Sequence, residues 1–147
     1  MAGISQAGWI APLAASKSSD VAIAISLSGP TCTVGQELYY SDLTEEGISL
    51  EKASDMARDY TGPHGFDPLP SLQKLDVPGL WLLGAQDSSI PVPLTTEILD
   101  SLITDHDKDF SYIVYPNMNH ILRDVDTGQI YPVLDDALNW LNEEFGD

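Results

Sequence analysis

Two apolar runs in this chain have no polar face, and a third is built from residues that favour strands. Asp20 to Ser28 (DVAIAISLS) alternates Val21, Ile23, Ile25 and Leu27 with nothing more polar than Ala22, Ala24 and Ser26. Leu80 to Leu83 (LWLL) lies between Pro78-Gly79 and Gly84, and Phe110 to Tyr115 (FSYIVY) is aromatic and β-branched. Strands like these are covered on both sides, which is the mark of a parallel sheet. Helical patterns fill the intervals. Leu94, Ile98, Leu99, Leu102 and Ile103 recur at helical spacing, as do Ile130, Leu134, Ala137, Leu138, Leu141 and Phe145 after Pro132. Strand and helix in this rhythm predict an α/β fold with a small parallel sheet flanked by helices.

At 147 residues the chain is long enough for one domain with its own core. The segment from Thr33 to Pro70 breaks the rhythm. Ala53, Met56, Ala57 and Tyr60 predict one short helix there, and Gly62-Pro63-His64-Gly65 reads as a turn. Residues 33–70 are therefore expected to form an excursion above the sheet, a cap or lid segment.

Charge narrows the partners. With 23 acidic and 6 basic residues the net charge is −17, so nucleic-acid phosphates and anionic membrane surfaces are repelled. Cys32 is the single cysteine, which excludes an intrachain disulfide and a cysteine-based zinc motif. No apolar run reaches the length of a membrane span, and no secretory leader is visible. No metal-ligand spacing and no glycine-rich phosphate loop is present, so no cofactor is expected.

Residues suited to acyl transfer stand at the expected strand ends. Gly3-Ile4-Ser5-Gln6-Ala7 reads G-x-S-x-A, close to the G-x-S-x-G turn that lifts a serine hydroxyl between a strand and a helix. Small residues two before and two after the serine suit the tightness of that turn. Pro12, farther along, removes a helical hydrogen bond and predicts a kink. Asp87 follows the LWLL strand and His120 follows FSYIVY, which puts both at the carboxyl ends of strands. The order Ser5, Asp87, His120 supplies a nucleophile, an orienting acid and a base. His64 and His106 fall outside this pattern, and Asp124 and Asp126 come too late in the chain for the acid.

Three blocks carry a resemblance. Gly3-Ile4-Ser5-Gln6-Ala7-Gly8-Trp9-Ile10-Ala11-Pro12 resembles the nucleophile elbow of α/β-hydrolases of the dienelactone hydrolase and prolyl oligopeptidase-like esterase group. Val77 to Val92 resembles their acid strand and loop, and Tyr115 to His120 their histidine loop. The resemblance spans nearly the whole chain and corresponds to the carboxyl-terminal half of that fold. It implies carboxylester hydrolysis of a small acyl ester, with Ser5 attacking, His120 as base and then acid, and Asp87 orienting His120. It also implies that the backbone N–H of Gln6 is one oxyanion donor. Peptide or lactone hydrolysis by the same fold stays open, and so does a non-catalytic remnant that acts through assembly.

The family pattern places about five strands ahead of the elbow, and this sequence does not contain them. The second oxyanion donor therefore has no candidate in the chain. The edge of strand 20–28 is expected to be bare, and a homodimer or other assembly through that edge is expected to cover it.

Overall fold

The computed structural model describes residues 1–146. Its elements run, in chain order, β1 (Ala2–Ile4), α1 (Ala7–Ala15), β2 (Ala24–Leu27), α2 (Val34–Glu45), α3 (Leu50–Arg58), α4 (Leu69–Gln73), β3 (Gly79–Gly84), α5 (Val92–His106), β4 (Phe110–Tyr115) and α6 (Val133–Phe145). The four strands form one parallel sheet in the order β1-β2-β3-β4. All six residues of β3 are buried, as a strand without a polar face requires.

Pleating divides the apolar side chains between two cores. Trp81 and Leu83 of β3 pack with Leu72, Leu75, Val92, Leu99 and Leu102 on one face. Leu80 and Leu82 pack with Ile25, Tyr115, Met118, Val133 and Ala137 on the other. Burying a side chain such as Leu82 or Leu99 stabilises the fold by about 1.5–3 kcal/mol.

The edge expected at strand 20–28 is not bare. That strand shortens to Ala24–Leu27 and lies between β1 and β3, with Ala2, Gly3 and Ile4 paired to Ile25, Ser26 and Leu27. The Met1 ammonium extends the contact by donating to the Ile23 carbonyl, and Ile25 N–H donates to the Met1 carbonyl. Three residues ahead of Ser5 are enough to pair as a strand, so β1 rather than β2 forms that edge of the sheet, with β4 at the other.

Residues 33–70 hold more helix than the sequence reading predicts. In α2, the Thr33 hydroxyl accepts from Gln36 N–H while the Gln36 side chain accepts from Thr33 N–H, a reciprocal cap. Tyr40, Leu43, Ala53 and Ala57 then join α2 to α3 in a small core of their own. At the other end of the chain, α6 starts at Val133 rather than Ile130. It turns Val133 and Ala137 inward and leaves Leu134 and Leu138 exposed. Pro12 lies within the continuous nine-residue α1, where it has no N–H to give the Gly8 carbonyl four residues back.

Candidate active site

Ser5 sits at the junction of β1 and α1 with φ 56°, in the left-handed region that non-glycine residues seldom occupy. The local sequence makes that turn possible. A Cβ on Gly3 would overlap the Ala7 methyl, so the residues flanking Ser5 must be small. Ser5 N–H donates to the Leu27 carbonyl at 2.9 Å, which anchors the turn to β2. At the second residue of α1, Gly8 passes so close to the next loop that a Cβ would lie 2.6 Å from the Pro30 carbonyl oxygen. Trp9 Nε1–H locks the same contact by donating to the Cys32 carbonyl at 2.9 Å. The backbone N–H of Gln6, at the start of α1, points to no acceptor among the described residues, as the first N–H groups of a helix commonly do.

The loop after β3 carries Asp87, whose side chain is 0% exposed. Its Oδ1 accepts from the N–H groups of Ser89 and Ile90 at 2.8 and 3.0 Å. Its backbone carbonyl accepts from the Tyr40 hydroxyl at 2.7 Å. The loop after β4 carries His120, and the two loops are stitched together. Ala85 N–H donates to the Tyr115 carbonyl, Gln86 N–H to the Met118 carbonyl, and the Gln86 amide to the Pro116 carbonyl. Gly84 permits the approach, since a Cβ there would collide with the Met118 carbonyl.

These three positions form one hydrogen-bonded chain. His120 Nδ1 lies 2.8 Å from Asp87 Oδ2, and His120 Nε2 lies 3.0 Å from Ser5 Oγ. With Nδ1–H given to the carboxylate, Nε2 keeps the lone pair that the serine hydroxyl meets. The hydrogen bond that His120 donates to Asp87 raises the His120 pKa above the ordinary histidine value. Partial burial opposes the rise, and the charges of Asp87 and Glu37 add to it. A serine, a base and an orienting carboxylate at these distances can carry out nucleophilic acyl transfer.

The other titratable candidates stand apart. His64 Nδ1 meets the Thr33 hydroxyl at 3.1 Å and its ring packs on the edge of Tyr60. His106 meets the Gln73 amide. Asp124 caps its own loop by accepting from Asp126 and Thr127 N–H. Burial pushes the Cys32 thiol up to about 12, which leaves it unreactive. Among the described residues, no cluster of His, Cys, Asp and Glu can hold a metal. No helix among the described residues is long and apolar enough to cross a membrane.

Two residues at this site are missing from the sequence reading. Tyr40 and Glu37 both come from α2, inside the segment read only as a cap. The Thr33/Gln36 capping pair is the local signal that marks the helix.

The model of the prolyl oligopeptidase family matches residues 1–147. This chain belongs to that family. No curated protein matches it. Among solved structures it is similar to a putative dienelactone hydrolase from Klebsiella pneumoniae, at 18% identity and a TM-score of 0.59, covering 95% of this chain and 48% of that one. It is also similar to a Pyrococcus furiosus esterase, at 14% identity and a TM-score of 0.66, covering 99% and 53%. A puromycin-hydrolysing peptidase from Mycobacterium tuberculosis matches at 18% identity and a TM-score of 0.57, covering 81% and 18%. The family member thus has part of the α/β-hydrolase fold, and spans about half the length of the first two structures and less of the third.

Proposed function

We propose that this family member is a serine hydrolase that cleaves small carboxylic esters through an acyl-enzyme. Ser5 is the nucleophile, His120 the general base, and Asp87 the carboxylate that holds the imidazole in its reactive tautomer. The observation that carries the reading is the continuous hydrogen-bonded chain from Ser5 Oγ through His120 to Asp87, with Ser5 held at positive φ.

In the first half-reaction, His120 Nε2 takes the hydroxyl proton as Ser5 Oγ bonds to the ester carbonyl carbon. Asp87 stabilises the imidazolium. The Gln6 N–H, at the positive end of α1, is the donor for the oxyanion that forms. Collapse of the tetrahedral intermediate breaks the bond to the alcohol oxygen, which takes its proton from His120. Water then repeats the sequence on the acyl-enzyme and releases the carboxylic acid. Residues 33–70, which supply Tyr40 and Glu37 to the site, act in this reading as a cap that shapes the acyl pocket.

Hydrolysis of p-nitrophenyl butyrate tests the proposal. The expected result is turnover that a Ser5→Ala variant lowers by on the order of 10⁶-fold in kcat. Turnover that survives in the variant contradicts the assignment of Ser5.

A second reading, in which the chain works as part of an assembly, draws on a different observation. The β1 edge has one strand neighbour, and Ile4, Ile10, Leu134 and Leu138 are exposed. A homodimer or other assembly that covers β1 is the form it would take. Sedimentation velocity decides it. A monomer at working concentration that keeps full activity contradicts this reading.

A further inference from the structure

The loop that carries Asp87 is held from two sides. On the β4 side, Ala85 and Gln86 reach the Tyr115, Met118 and Pro116 carbonyls, and these ties stop at Gln86. Beyond it the bonds turn inward. Asp87 N–H donates to the Gly84 carbonyl, and Asp87 Oδ1 accepts from Ser89 and Ile90 N–H. They shape the turn without tying it to a neighbouring element. The outward ties of Asp87 and Ser88 come from α2. Tyr40 donates its hydroxyl to the Asp87 carbonyl at 2.7 Å, and Thr44 Oγ1 donates to the Ser88 carbonyl at 2.6 Å. Residues four apart share a helix face, so one stripe of α2 supplies both donors. Among the described residues, the other bond that reaches Asp87 from a different element is the one from His120.

The support behind these two donors is firm. Tyr40 is 1% exposed and packs with Leu43, Ala53 and Ala57 in the core that joins α2 to α3. Gln36 Nε2 ties the same two helices by donating to the Ala57 carbonyl. At the end of α3, Arg58 grips both carboxylate oxygens of Glu97 at 2.6 and 3.0 Å. Glu97 lies on α5, the helix that follows the Asp87 loop, so the helix pair is pinned on both flanks of that loop. Burial first, and then the charge of Asp87, raise the Tyr40 pKa above the ordinary tyrosine value. The phenol therefore keeps the proton that it donates.

We infer that Tyr40, with Thr44 as a second hold, is a positioning residue for the acid of the Ser5–His120–Asp87 chain. The inference rests on the serine-hydrolase reading of those three residues. The backbone carbonyl and the carboxylate of Asp87 belong to one short residue, so fixing the first limits where the second can go. Asp87 Oδ2 meets His120 Nδ1 at 2.8 Å, a distance at which a small displacement weakens the bond. Residues 33–70 thus act as a brace on the acid loop as well as a cap.

Tyr40→Phe, assayed with p-nitrophenyl butyrate, tests this. The expected result is a fall in kcat of roughly tenfold with KM unchanged, because the acid serves the chemical step rather than binding. The charges that raise the His120 pKa are Asp87 and Glu37, with the Asp87 hydrogen bond foremost. Slackening that bond should move the midpoint of kcat/KM down toward the ordinary histidine value. A protein that is merely less stable loses amplitude and keeps its midpoint. Thr44→Val, at a half-buried position, should move both readouts the same way by less, and it decides the matter if Tyr40→Phe does not fold. An unmoved midpoint overturns the inference. So does a rise in KM at constant kcat, which would make Tyr40 a substrate contact. The His120 pKa read by NMR on the resting protein separates this inference from its parent. Absence of Ser5-dependent turnover, with a His120 pKa that still falls in Tyr40→Phe, sinks the hydrolase reading and leaves the brace standing. A His120 pKa that stays put in an active enzyme sinks the brace alone.

Discussion

The two ends of the Ser5–His120–Asp87 chain are held by different means. Asp87 follows β3, a central strand with every residue buried. Its carboxylate, its backbone carbonyl and the neighbouring loop are each fixed by hydrogen bonds. Ser5 follows β1, a three-residue edge strand in which Ile4 is 48% exposed. Its place depends on one neighbouring strand, on a strained φ, and on small residues that let α1 close over the loop after β2. The Asp87 end is secured by burial, whereas the Ser5 end is secured by steric fit at the rim. Loss of a side chain should therefore be felt mainly in stability near Asp87, and added volume should be felt mainly in activity near Ser5.

After the loss on the order of 10⁶-fold expected for Ser5→Ala, the next largest effect lies on the acid side. Asp87→Asn should keep the geometry and lower kcat by about 10⁴-fold, because an amide favours the wrong imidazole tautomer. Retention of activity within tenfold would break the assignment of Asp87. A paired truncation then sharpens the contrast between the strands. Leu83→Ala in β3 should cost about 2–5 kcal/mol in denaturant unfolding. Ile4→Ala in β1 should stay within about 0.5 kcal/mol. Equal costs would show that β1 is as firmly held as β3.

A smaller loss is expected from Tyr40→Phe. Removing the hydroxyl leaves the Asp87 carbonyl without its donor, at a cost of about 1–3 kcal/mol in stability. The pH profile carries the finest effect. Asp87 raises the His120 pKa, and the base must be neutral, so kcat/KM should rise with pH to a midpoint above the ordinary histidine value near 6.5. The contribution of the pair to stability runs the other way. It is full below the unfolded histidine pKa and is lost as pH rises through the folded value. A midpoint below 6.5 would contradict the coupling.

The sequence discloses the acid end better than the rest. Leu80 to Leu83 cannot face water on either side, so a central strand there, with Asp87 and His120 at strand ends, follows from apolar pattern alone. β1 is harder to read, because three residues carry no periodicity and pair only through the neighbour that folding supplies. The helix α2 hides for another reason. Val34, Gly35, Tyr39 and Tyr40 are weak helix formers, and its start is fixed by the Thr33/Gln36 cap rather than by an apolar stripe. Glu37 is out of reach for the same reason, since its charge acts on His120 only once α2 lies along the Asp87 loop.

The central claim is that Ser5 is activated by His120 and Asp87 in this chain. Treating the folded protein with a fluorophosphonate probe and mapping the adduct by mass spectrometry tests it most directly. The account predicts a single adduct on Ser5, absent in Ser5→Ala and much slower to form in Asp87→Asn. A folded protein that takes up no label at Ser5, or takes it up at another residue, would contradict it.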